Sequence, residues 1–365
     1  MILRELKERY SSVEPYRPGE GIYELSQRLG KDPSKILKLN ANENLFVPRS
    51  FITDLVKQAS DEVDSRLYPQ KEAAELKQAI SEVNQVSPEN TILASGGDQL
   101  IEQILSAALR PGDTVQAITP TFSMYPRTCT IRGVNYIEER LGEDFTFDPD
   151  EIILNKGKET KALVLCNPNN PTANQFNKRS VMRLVDNYEG MVLIDEAYAE
   201  YGKYSLVEEA ESRENLVVLR TFSKAYGLAG LRLGYLITNE ELAELINERY
   251  MMPYPVSSLT LKTGVKAIEN NDYFKEKIQS TKEARDALSV ELSEMDGVEA
   301  FPSETNFILF KTRNSMEKIY SDLLNFGIIV RKIGDVPGSR ECLRVTVAPA
   351  SINNAFKSAL GEVMK

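Results

Sequence analysis

Histidine and tryptophan are absent from the 365 residues of this chain, and cysteine occurs only three times. Without histidine the chain cannot build a Ser-His-Asp or Cys-His nucleophile scheme or a His-ligated metal site. A general base must therefore be a lysine, a carboxylate, a tyrosine or a group that a cofactor supplies. Cys129, Cys166 and Cys342 lie far apart in the sequence, which favours a reducing compartment over a disulfide framework or a zinc site. We therefore expect no metal centre.

Long apolar runs and an excess of positive charge are also missing. No hydrophobic stretch approaches the length of a membrane span, and the first ten residues are charged and amphipathic, without an apolar signal core. The formal net charge of −10 argues against general binding to nucleic acid or to an anionic membrane. We expect a soluble, cytoplasmic protein that holds anionic ligands with a local cluster of donors.

One loop between two apolar runs carries such a cluster. The run 216–219 predicts a buried strand, and Thr221, Ser223, Lys224 and Arg232 follow it. The hydroxyls and the guanidinium can bind a phosphate dianion, and a lysine with a depressed pKa can react with an aldehyde. An aldehyde that carries a phosphate is pyridoxal phosphate (PLP), although a lysine taken alone is most often a solvated surface residue.

Strands and helices alternate from residue 91 to residue 237, which predicts an α/β fold with a mostly parallel sheet flanked by helices. Ligands of such sheets bind beyond the carboxyl ends of the strands. Five candidate residues lie at or just after predicted strand ends: Ser95, Phe122, Asn170, Asp195 and Lys224. Each has a structural alternative, since Phe122 could pack in the core and Asp195 could cap a helix.

The turn Ser95-Gly96-Gly97-Asp98 opens a predicted apolar helix that runs to Leu109, and it offers backbone N–H groups to an anion, although it is also compatible with a plain helix start that Asp98 caps. After the probable hinge Met252-Pro253-Tyr254-Pro255, the pattern predicts a smaller α+β domain that contains Arg331 and Arg344. We predict three parts: an N-terminal arm (1–40) that joins the small domain, a large cofactor-binding domain (41–255) and a small C-terminal domain (256–365).

Six motifs, ordered along nearly the whole chain, resemble those of fold-type-I PLP-dependent aminotransferases, and within them the histidinol-phosphate aminotransferases. They are Leu39-Asn40-Ala41-Asn42-Glu43-Asn44, Tyr68-Pro69, Asn169-Asn170-Pro171-Thr172, Asp195-Glu196-Ala197-Tyr198, Ser223-Lys224-Ala225 with Leu228-Ala229-Gly230-Leu231-Arg232, and Cys342-Leu343-Arg344-Val345-Thr346-Val347. Two positions depart from the family pattern: Ala173 stands where a glycine is usual, and Gly96-Gly97 replaces the usual pair of the phosphate loop.

The resemblance implies catalytic roles for Lys224, Asp195 and Tyr198. Lys224 would carry the cofactor and move protons, and Asp195 would pair with the pyridine nitrogen. Tyr198 and Asn170 would hydrogen-bond the phenolic oxygen, and Phe122 would stack on the ring. The resemblance also implies a phosphate site formed by Gly97, Asp98, Thr221, Ser223 and Arg232, with Tyr68 from the neighbouring subunit of a homodimer.

For the substrate, Arg344 matches the arginine that grips an anionic group, and we add Arg331, Tyr16 and Tyr254 as candidate contacts. The implied activity is transamination of histidinol phosphate with 2-oxoglutarate in histidine biosynthesis, which yields glutamate. Three alternatives remain open: an aminotransferase for aromatic or other amino acids, a threonine-phosphate decarboxylase, and a non-catalytic PLP-fold binding module.

Overall fold

The computed structural model describes residues 2–15 and 21–365. The strands of this part of the chain are β1 (Leu37–Lys38), β2 (Thr91–Ala94), β3 (Thr114–Thr119), β4 (Asn135–Arg140), β5 (Thr160–Cys166), β6 (Met191–Asp195), β7 (Leu216–Thr221), β8 (Gly234–Ile237), β9 (Val298–Ala300), β10 (Phe307–Thr312), β11 (Ile328–Ile329), β12 (Arg331–Val336) and β13 (Ser339–Thr346).

The helices are α1 (Ile2–Arg9), α2 (Ile22–Leu29), α3 (Arg49–Glu62), α4 (Gln70–Asn84), α5 (Gly97–Ala108), α6 (Met124–Arg132), α7 (Pro149–Leu154), α8 (Lys178–Asn187), α9 (Val207–Glu211), α10 (Glu240–Leu245), α11 (Ser258–Glu269), α12 (Asn271–Ser293), α13 (Met316–Phe326) and α14 (Ala350–Val363). A single π-helical turn, Ile246–Tyr250, extends α10. None of the described helices is both long and apolar enough to cross a membrane.

A seven-stranded sheet forms the centre of the molecule, in the order β2-β8-β7-β6-β5-β3-β4. The strands from β7 to β4 in this order run parallel, whereas β8 is antiparallel to both of its neighbours. Almost every residue of β5, β6 and β7 is buried, as expected for parallel strands that helices cover on both faces. The predicted α/β class is confirmed.

Two apolar clusters fill the faces of this sheet. One contains buried residues of α3, α4, α8 and α11, and the other contains those of α5 and α6. Because the parallel strands are fixed between these layers, the carboxyl ends of β3, β5, β6 and β7 lie along one edge of the sheet. The loops that carry the candidate residues leave from this edge.

A second, antiparallel sheet has the order β12-β13-β10-β9 and packs with α13 and α14 around its own apolar cluster. The N-terminal segment reaches this part, since β1 pairs in parallel with β11 and Leu39 lies in the same cluster. Helix α11 packs against α3 and α4, although the predicted boundary at residue 256 assigns it to the small domain. The three boundaries stay a prediction.

A buried ion pair fixes the segment that follows β6. The guanidinium of Arg220, on the adjacent strand β7, lies 3.2 Å from Glu196 and 2.6 Å from Glu200. Glu196 also accepts hydrogen bonds from the hydroxyl of Ser205 and the backbone N–H of Leu206, both at 2.6 Å. Because a buried charge needs this many partners to be stable, the turn after β6 is held in one position relative to β7.

Candidate active site

A cavity of about 860 Å³ opens between the carboxyl edge of the central sheet and strands β12 and β13. Of the residues predicted from the sequence, twelve border it: Gly97, Asp98, Phe122, Asn170, Asp195, Tyr198, Thr221, Ser223, Lys224, Arg232, Arg331 and Arg344. Tyr68 and Tyr254 do not border it and instead stack on each other, with ring centroids 4.8 Å apart. Tyr16 lies outside the described residues.

Lys224 projects into the cavity from the loop after β7. Its Nζ donates a hydrogen bond of 3.0 Å to the backbone oxygen of Ala41. Burial and the nearby charge of Arg344 lower the pKa of Lys224 to about 8. A lysine with a pKa this low has a useful neutral fraction near neutral pH and can act as a nucleophile or a base.

Asp195 ends β6 at the floor of the cavity and is 3 % exposed. The hydroxyl of Tyr125 donates to Oδ2 at 2.7 Å, and the backbone N–H of Ala197 donates to Oδ1 at 3.0 Å. Burial raises the pKa of Asp195 to about 6, against the opposing effect of these two hydrogen bonds. A cationic group that entered the cavity beside Asp195 would stabilise its ionised form.

Side chains from both sheets surround the space between Lys224 and Asp195. Asn42 donates to the hydroxyl of Tyr198 at 2.9 Å, so the hydroxyl proton of Tyr198 remains available. Arg344 donates to the side-chain oxygen of Asn170 and to the backbone oxygen of Asn40, which leaves the amide N–H groups of Asn170 free to donate to a ligand. Burial lowers the pKa of Arg344 to about 10.

The residues predicted to bind a phosphate form a corner of the cavity where α5 begins. Gly96 has φ +87°, and a Cβ built there would lie 2.7 Å from Nη2 of Arg232. Glycine suits this positive φ and leaves room for the guanidinium beside the first turn of α5, whose N–H groups have no helical acceptors. Arg232 also pairs with the Asp98 carboxylate at 3.1 Å. The hydroxyl of Ser223 is buried without a hydrogen-bond partner in the described structure.

Two residues predicted to bind the phosphate, Thr221 and Asp98, do not offer a free side-chain donor. The Thr221 hydroxyl donates to the backbone oxygen of Leu233 at 3.3 Å and accepts from the N–H of Ser223 at 3.1 Å. Thr221 therefore shapes the loop. The Asp98 carboxylate can only accept hydrogen bonds when ionised, so an anion would be bound by the backbone N–H of this residue.

These donors fit PLP. The unpartnered hydroxyl of Ser223, Arg232 and the start of α5 suit a phosphate dianion. Asp195 suits a protonated pyridine nitrogen, Tyr198 and Asn170 suit a phenolic oxygen, and Lys224 suits an aldehyde. The cofactor residues and their roles remain a proposal.

The sequence did not reveal every residue of the site. Asn42 and Tyr125 each bond to a candidate residue, but these partners are 156 and 70 positions away. The only local signal for Tyr125 is its place three residues after Phe122, at a predicted strand end. Ala173 adopts φ +68° and is fully buried, so the turn tolerates the strain that the missing glycine implies.

A family model for aminotransferase class I and II matches residues 34–358. The chain is 36% identical to a histidinol-phosphate aminotransferase of Ruminiclostridium cellulolyticum, over 90% of this chain and 93% of the relative. It is 32% identical to one of Methanosarcina barkeri, over 98% of each chain. The chain therefore belongs to the aminotransferase class I and II family. It is a PLP-dependent aminotransferase, as the sequence motifs predicted.

Solved structures agree on the fold. The crystal structure of histidinol-phosphate aminotransferase from Sinorhizobium meliloti in complex with pyridoxal-5'-phosphate has a TM-score of 0.86 at 24% identity, over 98% of this chain and 96% of that one. L-threonine-O-3-phosphate decarboxylase from Porphyromonas gingivalis has a TM-score of 0.75 at 21% identity, over 90% of this chain and 99% of that one. The fold is thus shared by enzymes that carry out different reactions.

We predict that Lys224 of the cofactor-free protein reacts with an aldehyde at an unusually low pH. At pH 7, a pKa of about 8 leaves roughly a tenth of the amines neutral, against roughly 0.03% for an ordinary lysine. Pyridoxal and borohydride should label Lys224 with a rate that rises to a plateau above about pH 8–9. Peptide mass spectrometry measures this rate, and Lys224→Arg is the control. A rate at Lys224 that still rises steeply beyond pH 10 would contradict the prediction.

Proposed function

We propose that this protein transfers the amino group of histidinol phosphate to 2-oxoglutarate, a step of histidine biosynthesis, and so forms imidazole acetol phosphate and glutamate. Histidinol-phosphate aminotransferases that are 32–36% identical over most of the chain support this assignment. The structural observation that carries it is a pair of arginines in the cavity wall. Arg331 and Arg344 are register partners on β12 and β13, and both border the cavity that contains Lys224.

In this proposal, the residues described above hold the cofactor and move protons. When bound, PLP supplies an aldehyde that takes up the amino group and a protonated ring that acts as an electron sink. The neutral amine of Lys224 would take the proton from the substrate α-carbon and deliver it to the aldehyde carbon, and it would move a proton in the opposite direction in the second half-reaction. Asp195 would keep the ring nitrogen protonated, and Phe122 would stack on the ring. The alternation of two half-reactions gives ping-pong kinetics.

The two arginines suit two anionic substrates that differ in shape. Arg344 is buried, has an Nε atom without a hydrogen-bond partner in the described structure, and stacks 5.0 Å above the ring of Phe307. It would bind the anionic group of either substrate, the phosphate of histidinol phosphate or a carboxylate of glutamate. Arg331 is half-buried and has no carboxylate partner among the described residues, so its guanidinium can form a bidentate contact with a phosphate.

A steady-state assay with histidinol phosphate and 2-oxoglutarate tests the proposal. We expect equal amounts of glutamate and keto product, no release of CO₂, and loss of nearly all turnover in Lys224→Ala. Release of CO₂ from threonine phosphate would instead support the decarboxylase alternative. A kcat/KM for phenylalanine equal to that for histidinol phosphate would support an aromatic aminotransferase. A protein that binds PLP but turns over none of these substrates would be a binding module.

Separate half-reactions test the roles of the arginines. Arg331→Ala should raise the activation free energy of the histidinol phosphate half-reaction by about 1.5–3 kcal/mol, the contribution of a hydrogen bond to a charged group. The glutamate half-reaction should change much less, because glutamate carries no phosphate. Arg344→Ala should impair both half-reactions. Single-turnover absorbance measurements give the two rates, and equal losses in both for Arg331→Ala would remove this residue from phosphate selection.

We further propose that the active protein is a homodimer whose two active sites are shared. Leu67, Tyr68 and Met252 expose 67%, 77% and 73% of their surface, and Tyr68 stacks on Tyr254, so exposed apolar side chains gather in these two segments. Patches of this kind mark interfaces. Tyr68 does not border the cavity of its own chain, so it can contribute to a phosphate site only in a second copy.

The three cysteines are buried and unpaired, which supports a cytoplasmic location.

Tagged hybrid dimers test this sharing. A hybrid of Tyr68→Ala and Lys224→Ala chains should regain about half of the wild-type turnover per dimer, because one of its two sites has both residues intact. The matched control is a hybrid of a wild-type chain with a Tyr68→Ala/Lys224→Ala chain, which should be nearly inactive. If this control is the more active hybrid, Tyr68 serves the site of its own chain. A fully active monomer would also rule out the proposal.

A further inference from the structure

One tyrosine connects two parts of the active site through different portions of its side chain. Tyr125, the second residue of α6, is fully buried. Its hydroxyl donates to Oδ2 of Asp195 at 2.7 Å, and its ring packs edge-on against Phe122, with centroids 5.8 Å apart and planes at 87°. Because α6 follows β3 and Asp195 ends β6, this side chain spans the width of β5 between them.

The hydroxyl of Tyr125 indicates a role beyond packing. A phenylalanine would fill the apolar cluster around α5 and α6 equally well, and a buried hydroxyl without a partner is costly. Here the partner is a buried carboxylate. Neither oxygen of Asp195 lies within ion-pair distance of a cation in the described residues, and its other protein donor is the N–H of Ala197. The tyrosine hydroxyl is thus the one side-chain donor that the described structure gives to Asp195.

We propose that Tyr125 is a positioning residue that stabilises the ionised form of Asp195, so that the proton shared with the cofactor's pyridine nitrogen stays on the nitrogen. The proposal rests on the function proposed above and deepens it. The same side chain also sets the position of Phe122, which borders the cavity beside Asp195.

The electrostatics support this role. Burial and the neighbouring charge of Asp195 raise the pKa of Tyr125 well above its usual value, so its hydroxyl keeps its proton and remains a donor. A donor to a carboxylate favours the charged form. Burial alone pulls Asp195 towards its neutral form, and the hydrogen bond from Tyr125 is the largest opposing contribution. Without it, the proton between Asp195 and the nitrogen would shift towards the carboxylate.

Tyr125→Phe separates the hydroxyl from the ring, because it keeps the contact with Phe122. Tyr136→Phe is a matched control: it also removes a buried hydroxyl from a tyrosine that packs on the same cluster, and that hydroxyl has no hydrogen-bond partner among the described residues. Circular dichroism checks that both variants fold. If Tyr125→Phe does not fold, Tyr125→Met serves instead, since methionine adapts to irregular space and carries no hydroxyl.

The readout is the ¹⁵N chemical shift of ring-labelled PLP in the reconstituted protein, followed between pH 6 and pH 9, together with the PLP dissociation constant. In wild type and Tyr136→Phe the nitrogen should give the protonated shift throughout. In Tyr125→Phe the shift should move towards that of unprotonated pyridine, and the dissociation constant should rise about tenfold, as for loss of one hydrogen bond to a charged group. Asp195→Asn supplies the unprotonated reference.

Two results would overturn the inference. If Tyr125→Phe keeps the wild-type nitrogen shift and the PLP affinity of Tyr136→Phe, Tyr125 serves only in packing, and the proposed function is untouched. If the wild-type protein does not bind PLP or binds it with an unprotonated nitrogen, the cofactor role of Asp195 fails, and the inference fails with it. The wild-type measurement therefore distinguishes the two failures.

Discussion

The proposed active site depends on keeping one carboxylate charged in a place that disfavours charge. Asp195 lies at the end of a buried strand, where burial raises its pKa to about 6. The protein counters this with donors from two directions, the hydroxyl of Tyr125 and the N–H of Ala197. The next residue, Glu196, is held by Arg220 on the adjacent strand. The turn is therefore rigid before any ligand arrives, as preorganised electrostatic catalysis requires.

Positive charge gathers elsewhere in the cavity, around Arg344 and Lys224, although the net charge of the protein is −10. The buried charge of Arg344 helps to lower the pKa of Lys224 to about 8, while burial lowers that of Arg344 itself to about 10. Each value measures how unfavourable the uncompensated charges are. In the proposed function, an anion bound at Arg344 would relieve this cost.

The sequence was most informative where one local rule applied. Asn170, Asp195 and Lys224 follow apolar strands, and carboxyl ends of parallel strands meet at one edge, so their convergence could be predicted. The contacts of Tyr125 and Asn42 could not be predicted, because their partners are set by packing between distant segments. Residues 258–293 form two helices, since Asn270 ends α11 and precedes α12.

The segment 40–42 connects the two halves of the cavity by hydrogen bonds. Its backbone oxygens accept from Lys224 at Ala41 and from Arg344 at Asn40. Asn42, at φ +55°, accepts from Asn306 through its backbone oxygen and donates through its side chain to Tyr198. Asparagine tolerates this left-handed conformation better than most residues. Lys224 and Tyr198 belong to the central sheet, whereas Arg344 and Asn306 lie in or beside the antiparallel sheet. The backbone of two adjacent residues therefore joins the hydrogen bonds of Lys224 and Arg344.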